Sequence, residues 1–130
     1  MYTIRRKRIY EAAEADDGYR ILVDRLWPRG IKKENAHLDR WAKEITPSKE
    51  IRQLYHRGEM DFDSFGLAYL EELERNPAAQ KFAADCRSQL ETSNITFVYG
   101  AKNQQENHVI VLLKWLNDVL KQTNTSIDKT

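Results

Sequence analysis

Two apolar stretches of the chain have the pattern of buried strands. Residues 20–26, RILVDRL, form an apolar run interrupted only near its end, which is typical of a strand buried on both faces of a parallel sheet. Residues 94–101, NITFVYGA, are rich in β-branched and aromatic side chains and predict a second central strand. The basic residues 3–13, TIRRKRIYEAA, predict an extended first strand, and an acidic turn ending at Gly18 follows it.

Elsewhere apolar residues recur every three or four positions, which predicts amphipathic helices. The first predicted helix covers residues His37–Ile45. Its buried stripe would consist of Leu38, Trp41, Ala42 and Ile45. The second would be capped by the hydroxyl of Thr46, would have Pro47 at its first position, and would end before Gly58.

The second half of the chain predicts three more helices. One runs from about Asp63 to Arg75, and Asn76 with Pro77 starts the next, which continues to about Leu90. A strongly apolar helix follows the second central strand and its loop. After it, the polar residues 123–130 predict a frayed tail.

This order of elements predicts an α/β protein, a three-layer sandwich with a small, mainly parallel central sheet and about five helices. Residues 1–122 would form a single α/β domain, because a chain of 130 residues fits one core. If the two apolar strands are neighbours, the loops that follow them lie at the same edge of the sheet. Ligands bind at that edge in open parallel sheets.

Composition sets limits on the function. The chain is 41% hydrophobic and 32% charged, which is typical of a soluble globular protein, and its net charge of +1 gives no global field that would attract nucleic acid or membranes. The longest apolar run, Val109–Leu113, is far shorter than the ~20 residues that span a bilayer. The N-terminus lacks the apolar region of a signal peptide. We therefore expect a cytoplasmic protein with no membrane partner.

Several classes of site are absent from the sequence. Cys86 is the single cysteine, which excludes an intramolecular disulfide, and its helical spacing predicts a buried core residue. His37 and His56 have no second histidine four residues away, as a helical zinc pair requires. No dinucleotide-binding, P-loop or hydrolase-nucleophile motif is present. We expect neither a metal nor a cofactor.

The loop after the first apolar strand concentrates groups that recognise ligands. Asp24 and Arg25 alternate in direction, so one of them faces inward. Trp27 offers a surface for stacking, Arg29 a planar fork for phosphate or carboxylate, and Gly30 an unrestricted backbone. The alternative is structural, because an acid with an arginine can simply hold a loop and a tryptophan can simply pack.

The loop after the second apolar strand would form the other half of this site. Its predicted ligand-binding side chains are those of Lys102, Asn103 and Asn107. An anion there would meet the N-terminus of the last helix. His108 is the candidate for proton transfer, unless it only hydrogen-bonds its own backbone. Asp24, the other candidate catalytic residue, needs a partner if buried, and Arg29, Lys102 and His108 are the candidates.

Four longer motifs carry a resemblance to a known family. They are GYRILVDRLWPRGIKK, WAKEITPSKEIRQLYH, YLEEL and FVYGAKNQQENHVIVLLKWL, and together they extend from about Lys7 to Leu116. On these motifs the chain resembles the YeaO-like branch of the domain-of-unknown-function 488 (DUF488) family. The resemblance implies no established activity. Relatives in the wider family tend to carry CHR where this chain has NHV at residues 107–109, so chemistry that needs that thiol or arginine is not carried over.

Three functions follow as hypotheses. In the first, the sheet edge binds an anionic, nucleotide-like ligand, with Arg29 and Lys102 on anionic oxygens and Trp27 stacked on a ring. Whether the ligand is turned over stays open. The second is a nucleic-acid-binding module that uses Arg6, Arg8, Lys32 and Lys33, and it would lose affinity steeply with salt. The third is a protein-interaction module in which Trp27 is the hot spot.

Overall fold

A sheet of four parallel strands, in the order β1-β4-β2-β3, forms the centre of the fold in a computed structural model. The structure describes residues 2–128, with side chains as far as Lys121. The strands are β1 (Ile4–Arg8), β2 (Tyr19–Leu22), β3 (Arg40–Trp41) and β4 (Ile95–Tyr99). The helices are α1 (Lys33–Ala36), α2 (Lys49–His56), α3 (Phe62–Arg75), α4 (Pro77–Gln89) and α5 (His108–Asp128). The predicted α/β class, the parallel sheet and the number of helices are confirmed.

The two apolar strands are neighbours, which was the condition for a site shared by their loops. β4 lies between β1 and β2, and Ile95 is in register with both Ile4 and Tyr19. Because both pairings are parallel, β2 and β4 end at the same edge of the sheet. The loops that follow them therefore meet there.

The sheet is covered unequally on its two faces. Ile21 and Phe97 belong to the main core, which contains residues of α2 to α5. The alternate residues Leu22 and Val98 belong to a smaller cluster under α1 and its flanking loops. The third layer of the sandwich is therefore thin, and most helical packing lies on one face.

Residues 37–45 do not form the predicted helix. His37 ends α1 in a left-handed conformation with φ 51°, the next residues form β3, and Lys43–Ile45 form a short 3-10 turn. β3 pairs with β2, with Arg40 opposite Ile21. The prediction was wrong.

The two faces of the sheet explain this error. Leu38 and Trp41 pack against the smaller cluster, whereas Ala42 and Ile45 enter the main core. A helix has a single apolar stripe and cannot deliver neighbouring residues to opposite faces of a sheet. A short strand followed by a turn can do so, because strand side chains alternate in direction.

α2 begins later than predicted. Its cap is Ser48, whose Oγ accepts a hydrogen bond from the N–H of Ile51 at 3.5 Å. Thr46 closes the preceding 3-10 turn instead, because its hydroxyl donates to the carbonyl of Lys43 at 2.7 Å. Pro47 lies between these two residues and not at the first helical position.

The start of α4 confirms the prediction from the Asn-Pro pair. Asn76 Oδ1 accepts the N–H of Ala78 at 3.0 Å, and Pro77 is the first helical residue. α3 begins slightly before the predicted position, because Asp61 caps it by accepting the N–H of Ser64.

The predicted acidic turn before β2 is the 3-10 turn Ala15–Asp17, and it ends at Gly18. Gly18 has φ 66°, and a Cβ there would lie 2.2 Å from the carbonyl oxygen of Asn94. Both the conformation and the close approach require glycine.

Asp17, the last residue of this turn, forms a buried ion pair. Arg20 donates to Asp17 Oδ2 at 2.6 Å, with 6% and 3% of the two side chains exposed, and Lys7 donates to Asp17 Oδ1 at 2.8 Å. Glu14 and Asp16 place their carboxylates within 4.8 Å of that of Asp17. Each of the two has a cation as its partner, Lys7 for Glu14 and Arg5 for Asp16. This acidic group therefore carries its own counter-charges.

α5 continues into the segment predicted as a tail, as far as Asp128. Met1, Lys129 and Thr130 lie outside the described residues. A search of the described helices finds none with the length and apolar character of a bilayer-spanning segment.

Candidate functional site

A cavity of about 440 Å³ opens at the edge where β2 and β4 end. The loop after β2, the segment that enters α2, α2 itself, α3 and the loop between β4 and α5 all contribute to it. Its charged and titratable lining residues are Asp24, Arg25, Arg52, Tyr55, His56, Lys102, Glu106 and His108. Its other lining residues are Leu26, Thr46, Pro47, Phe65, Ala101, Asn103 and Asn107.

Asp24 connects the two strand ends. Its Oδ2 accepts the backbone N–H of Gly100 at 2.8 Å, and its Oδ1 lies 3.3 Å from Nε2 of His108. Of the three partners that the sequence allowed, the structure places His108 beside it. Asp24 is half-buried and Arg25 is exposed, and both line the cavity.

The imidazole of His108 has a defined orientation. Nε2 lies 2.7 Å from the carbonyl oxygen of Val23. A carbonyl only accepts, so Nε2 carries a proton and points it there. Asp24 Oδ1 is buried and has no hydrogen bond from a described residue, so its 3.3 Å approach to Nε2 is an electrostatic contact. In the neutral ring, Nδ1 is then the basic nitrogen.

Arg52 is the most unusual charged group of the cavity. It is partly buried on α2, and its Nε is fully buried with no hydrogen-bond acceptor among the described residues. Burial lowers the pKa of Arg52, and the positive charge of the nearby Arg25 lowers it further. A guanidinium in this position lacks the counter-charge that a buried cation ordinarily has.

The other two cations of the lining stand at the mouth of the cavity. Arg25 and Lys102 are both exposed. Within the described side chains, no carboxylate pairs with Arg25, Arg52 or Lys102. Arg25 and Arg52 therefore form a pair of cations without a described counter-charge, in a lining that also carries the carboxylates of Asp24 and Glu106.

Aromatic rings form one wall. Tyr55 of α2 stacks on Phe65 of α3, with ring centroids 4.8 Å apart and an interplanar angle of 27°. Burial raises the pKa of Tyr55, and the negative charge of Glu106 raises it further, so Glu106 lies within electrostatic reach of the phenol. Leu26 extends the apolar surface to the mouth, where its side chain is 70% exposed.

Two of the predicted ligand-binding residues shape the loop before α5. Asn107 Oδ1 accepts the N–H groups of Val109 and Ile110, and its Nδ2 donates to the carbonyl of Asn103 at 2.7 Å. Asn103 Oδ1 accepts two backbone N–H groups of the same loop, at 3.0 and 2.9 Å. Both Oδ1 and Nδ2 of Asn107 are therefore hydrogen-bonded within the protein. The same is true of two N–H groups at the start of α5, where we expected an anion to bind.

The rest of the first loop lies away from the cavity lining. Trp27 packs edge-on against Trp41, with ring centroids 5.3 Å apart, and its Nε1 donates to the carbonyl of Ile31. Arg29 and Gly30 are exposed, and Gly30 has φ 76°. The structure thus brings Asp24, Arg25, Lys102 and His108 together but places Trp27, Arg29 and Gly30 elsewhere.

The basic residues of the nucleic-acid hypothesis are divided. Arg6 donates to the carbonyl of Gln104 at 2.6 Å, and Arg8 donates to the carbonyls of Gly100 and Ala101. These two arginines hold the loop between β4 and α5. Lys32 and Lys33, in contrast, are exposed near the start of α1.

Sequence reasoning missed the contribution of α2. Arg52 and Tyr55 are three residues apart, so they project from the same side of the helix. Neither residue was predicted to line a site, because the pattern of α2 does not show which elements pack against it. Phe65 of α3 was missed for the same reason. Glu106, in contrast, lies in the loop that was predicted to form half of the site, but it was not among the side chains chosen from that loop.

A family model described as "Inactive DUF488-N3 subclade" matches residues 3–130. The chain belongs to this DUF488 subclade. The resemblance drawn from the sequence motifs is therefore confirmed.

Curated relatives cover nearly the whole chain. The uncharacterized protein YeaO of Escherichia coli (strain K12) is 48% identical over 113 residues, which are 87% of this chain and 96% of YeaO. The uncharacterized protein Rv3073c of Mycobacterium tuberculosis (strain H37Rv) is 39% identical over 114 residues, 88% of this chain and 93% of the relative. No solved structure matches the chain significantly.

In this DUF488 chain the NHV triplet has structural roles on both sides of His108. Asn107 is the cap described above, and Val109 is fully buried in the main core. The lining residues, all within the described part of the chain, include no cysteine or serine.

Cys86 lies near the opposite ends of β2 and β4, and burial raises the pKa of its thiol to about 12. The predicted burial of Cys86 is confirmed.

Proposed function

We propose that the cavity binds a small organic anion of the nucleotide type, and that it does so without turning the ligand over. One observation carries the proposal: the guanidinium of Arg52 is partly buried beside Arg25, and the described residues supply no counter-charge. An anionic group between the two arginines would provide it.

Hydrogen bonds between an anion and these arginines would contribute to the free energy of binding. A hydrogen bond to a charged group contributes about 1.5–3 kcal/mol, and an unpartnered buried donor is unfavourable by a similar amount. A phosphate or carboxylate accepts from two guanidinium groups at once and removes the repulsion between them. Lys102, which is exposed on the loop after β4, lines the same cavity.

The other lining residues offer an apolar surface on which an aromatic ring of the ligand could stack. Tyr55 on Phe65 gives a flat aromatic wall, and Leu26 and Pro47 add apolar surface. Stacking of a base on an aromatic side chain contributes about 1–3 kcal/mol. A volume of about 440 Å³ lies within the range of small-molecule sites, ~300–1,000 Å³. Arg52 and Tyr55 thereby replace Arg29 and Trp27 in the roles that the sequence suggested.

Binding without turnover is favoured by the chemistry at hand. His108 and Asp24 can orient a ligand or exchange a proton through Nδ1, but an activated nucleophile requires a hydroxyl or thiol beside the base. The described lining residues offer no serine or cysteine, and their two hydroxyls are not activated. That of Thr46 donates to the carbonyl of Lys43 at 2.7 Å, and burial raises the pKa of the Tyr55 phenol. The family description, an inactive subclade, agrees with this proposal.

The experiment is a thermal-shift series on the wild type, Arg52→Met and the matched control Arg75→Met, which removes an exposed arginine from the end of α3. The probes are inorganic phosphate, ribose 5-phosphate, the four nucleoside monophosphates and a short single-stranded oligonucleotide, each at two salt concentrations. A ligand at ~100 times its Kd adds about 2.7 kcal/mol, which raises Tm by several degrees. We expect a salt-tolerant shift with a monophosphate in the wild type and control, and its loss in Arg52→Met.

Other outcomes contradict the proposal. A shift with the oligonucleotide alone, lost steeply as salt increases, would favour the nucleic-acid module and its lysines Lys32 and Lys33. A shift that survives Arg52→Met but is lost in Arg29→Met would return the site to the loop favoured by the sequence. No shift with any probe would leave the cavity without a ligand of this class.

A further inference from the structure

Two residues of α2 in the cavity wall have electrically different surroundings. Arg52 and Tyr55 lie three residues apart on α2, which places their Cβ atoms about 5–6 Å apart on one helix face. Arg52 has the positive charge of Arg25 beside it, and Tyr55 has the negative charge of Glu106 beside it. A ligand against this face of α2 therefore meets a pair of cations near Arg52 and the carboxylate of Glu106 near Tyr55.

Glu106 is held in place but its carboxylate is free. Its backbone N–H donates to Asn103 Oδ1 at 2.9 Å, which anchors the residue in the loop before α5. Its side chain is exposed and lines the cavity, and no described residue donates to it. Two carboxylate oxygens are thus available in the wall, on a residue whose backbone is anchored.

An ionised carboxylate only accepts hydrogen bonds, and its two oxygens match a pair of adjacent N–H donors. Guanine presents such a pair, N1–H and the 2-amino group, on one edge. Adenine presents an acceptor nitrogen beside its amino group on the corresponding edge. A carboxylate therefore discriminates between the two purines.

Lys102 supplies the complementary group on the same loop. It is exposed, lines the cavity and forms no ion pair with a described carboxylate. Guanine O6 is an acceptor next to N1–H, so an ammonium group and a carboxylate from one loop can recognise O6, N1–H and the 2-amino group together. In adenine the corresponding position carries a donor, which faces the lysine unfavourably.

We propose that this cavity prefers a guanine nucleotide, with its phosphate at Arg25 and Arg52, its base against Tyr55, and its donor edge at Glu106 and Lys102. This inference rests on the proposed function and specifies the ligand of that site. It assigns Glu106 and Lys102 as the residues that determine base specificity.

The test is calorimetric titration with GMP, IMP, AMP and ribose 5-phosphate. IMP keeps N1–H and O6 but lacks the 2-amino group, so it separates the two donors. We expect GMP to bind about tenfold more tightly than AMP, with IMP between them. In Glu106→Gln the preference for GMP over AMP should fall to about twofold or less, while ribose 5-phosphate binds as in the wild type.

Glu91→Gln is the matched control, because Glu91 is an exposed glutamate near the opposite end of β4. It should keep the full preference. Glu106→Asp, which retains the charge on a shorter side chain, should keep GMP ahead of AMP. Because the Glu106 carboxylate has no described partner, Tm of both Glu106 variants should equal that of the wild type.

The outcomes separate the two proposals. Binding of ribose 5-phosphate with equal affinities for GMP and AMP, or with AMP ahead, overturns the guanine preference and leaves the anion site standing. A GMP preference that persists in Glu106→Gln overturns the role of Glu106. No binding of any of the four ligands overturns both proposals.

Discussion

Asp24 accepts the backbone N–H of Gly100 at 2.8 Å and thereby ties the end of β2 to the end of β4. The contact is tight, since a Cβ at position 100 would lie 3.3 Å from the same carboxylate oxygen. The carboxylate that faces the cavity is therefore also part of the framework of the sheet edge. A charged residue at this point has a structural duty besides any contact with a ligand.

Asp24→Ala should reduce stability, because it leaves the N–H of Gly100 without its acceptor in a partly buried position. The expected loss is about 1–3 kcal/mol in the free energy of unfolding, measured by urea denaturation. Asp24→Asn keeps an acceptor of the same shape and should lose less. Equal stability of Asp24→Ala and the wild type would show that the contact contributes nothing.

Acid should destabilise the protein through Asp17. Burial alone would raise the pKa of Asp17, but hydrogen bonds from Lys7, the backbone of Glu14 and Arg20 outweigh it and hold the pKa below 3.8. A carboxyl with a lowered folded pKa contributes stability above its unfolded pKa, and this stability is lost as pH falls through the folded value. The contribution is thus complete at neutral pH and decreases below about pH 4.

The variant Asp17→Asn isolates this effect. It removes the charge that Arg20 and Lys7 face, and breaking a buried ion pair lowers stability by about 3–5 kcal/mol at neutral pH. The measurement is the free energy of unfolding at a series of pH values from 7 to 3. The variant should show a flatter decline than the wild type. A parallel decline in both proteins would mean that other carboxyls cause the acid sensitivity.

Cys86 should be chemically inert in the folded protein. Its side chain is buried, and burial raises the pKa of the thiol to about 12, so almost no thiolate exists at pH 8. A disulfide-exchange reagent should therefore label Cys86 only after denaturant is added. Rapid labelling at pH 8 in the native state would contradict both the burial and the core role predicted from the sequence.

The fold was predictable where the local sequence pattern and the tertiary environment of a segment favour the same secondary structure. The apolar run at Ile21–Val23 and the β-branched run at Ile95–Tyr99 have one stable environment, the middle of a parallel sheet, so both were predictable as central strands. Their adjacency was shown only by the structure. The Asn-Pro pair before α4 acts through its own backbone and needed no tertiary information. In residues 38–45, by contrast, apolar side chains go to two faces of the sheet, and their spacing imitates a helix.

The candidate site was predictable only in part. Asp24 lies just after β2, and His108 ends the loop that follows β4, so the rule for open parallel sheets brought them together. Arg52 reaches the same edge from α2 through the packing of α2 on α3, which depends on contacts distant in sequence. Trp27 shows the opposite error, because it was predicted to stack on a ligand. Its ring packs against Trp41 instead, and its Nε1–H donates to the carbonyl of Ile31.

The most direct test of the central claim observes the Nε–H group of Arg52 by nuclear magnetic resonance. Its resonance is assigned by its disappearance in Arg52→Lys, and a nucleoside monophosphate is then titrated into the wild-type protein. We expect the Arg52 Nε–H signal to move and saturate with the ligand, because a charge-assisted hydrogen bond replaces an unpartnered buried donor. The signal of Arg75 should stay in place. An Arg52 signal that does not move while the ligand binds elsewhere, or no binding at all, would contradict the account.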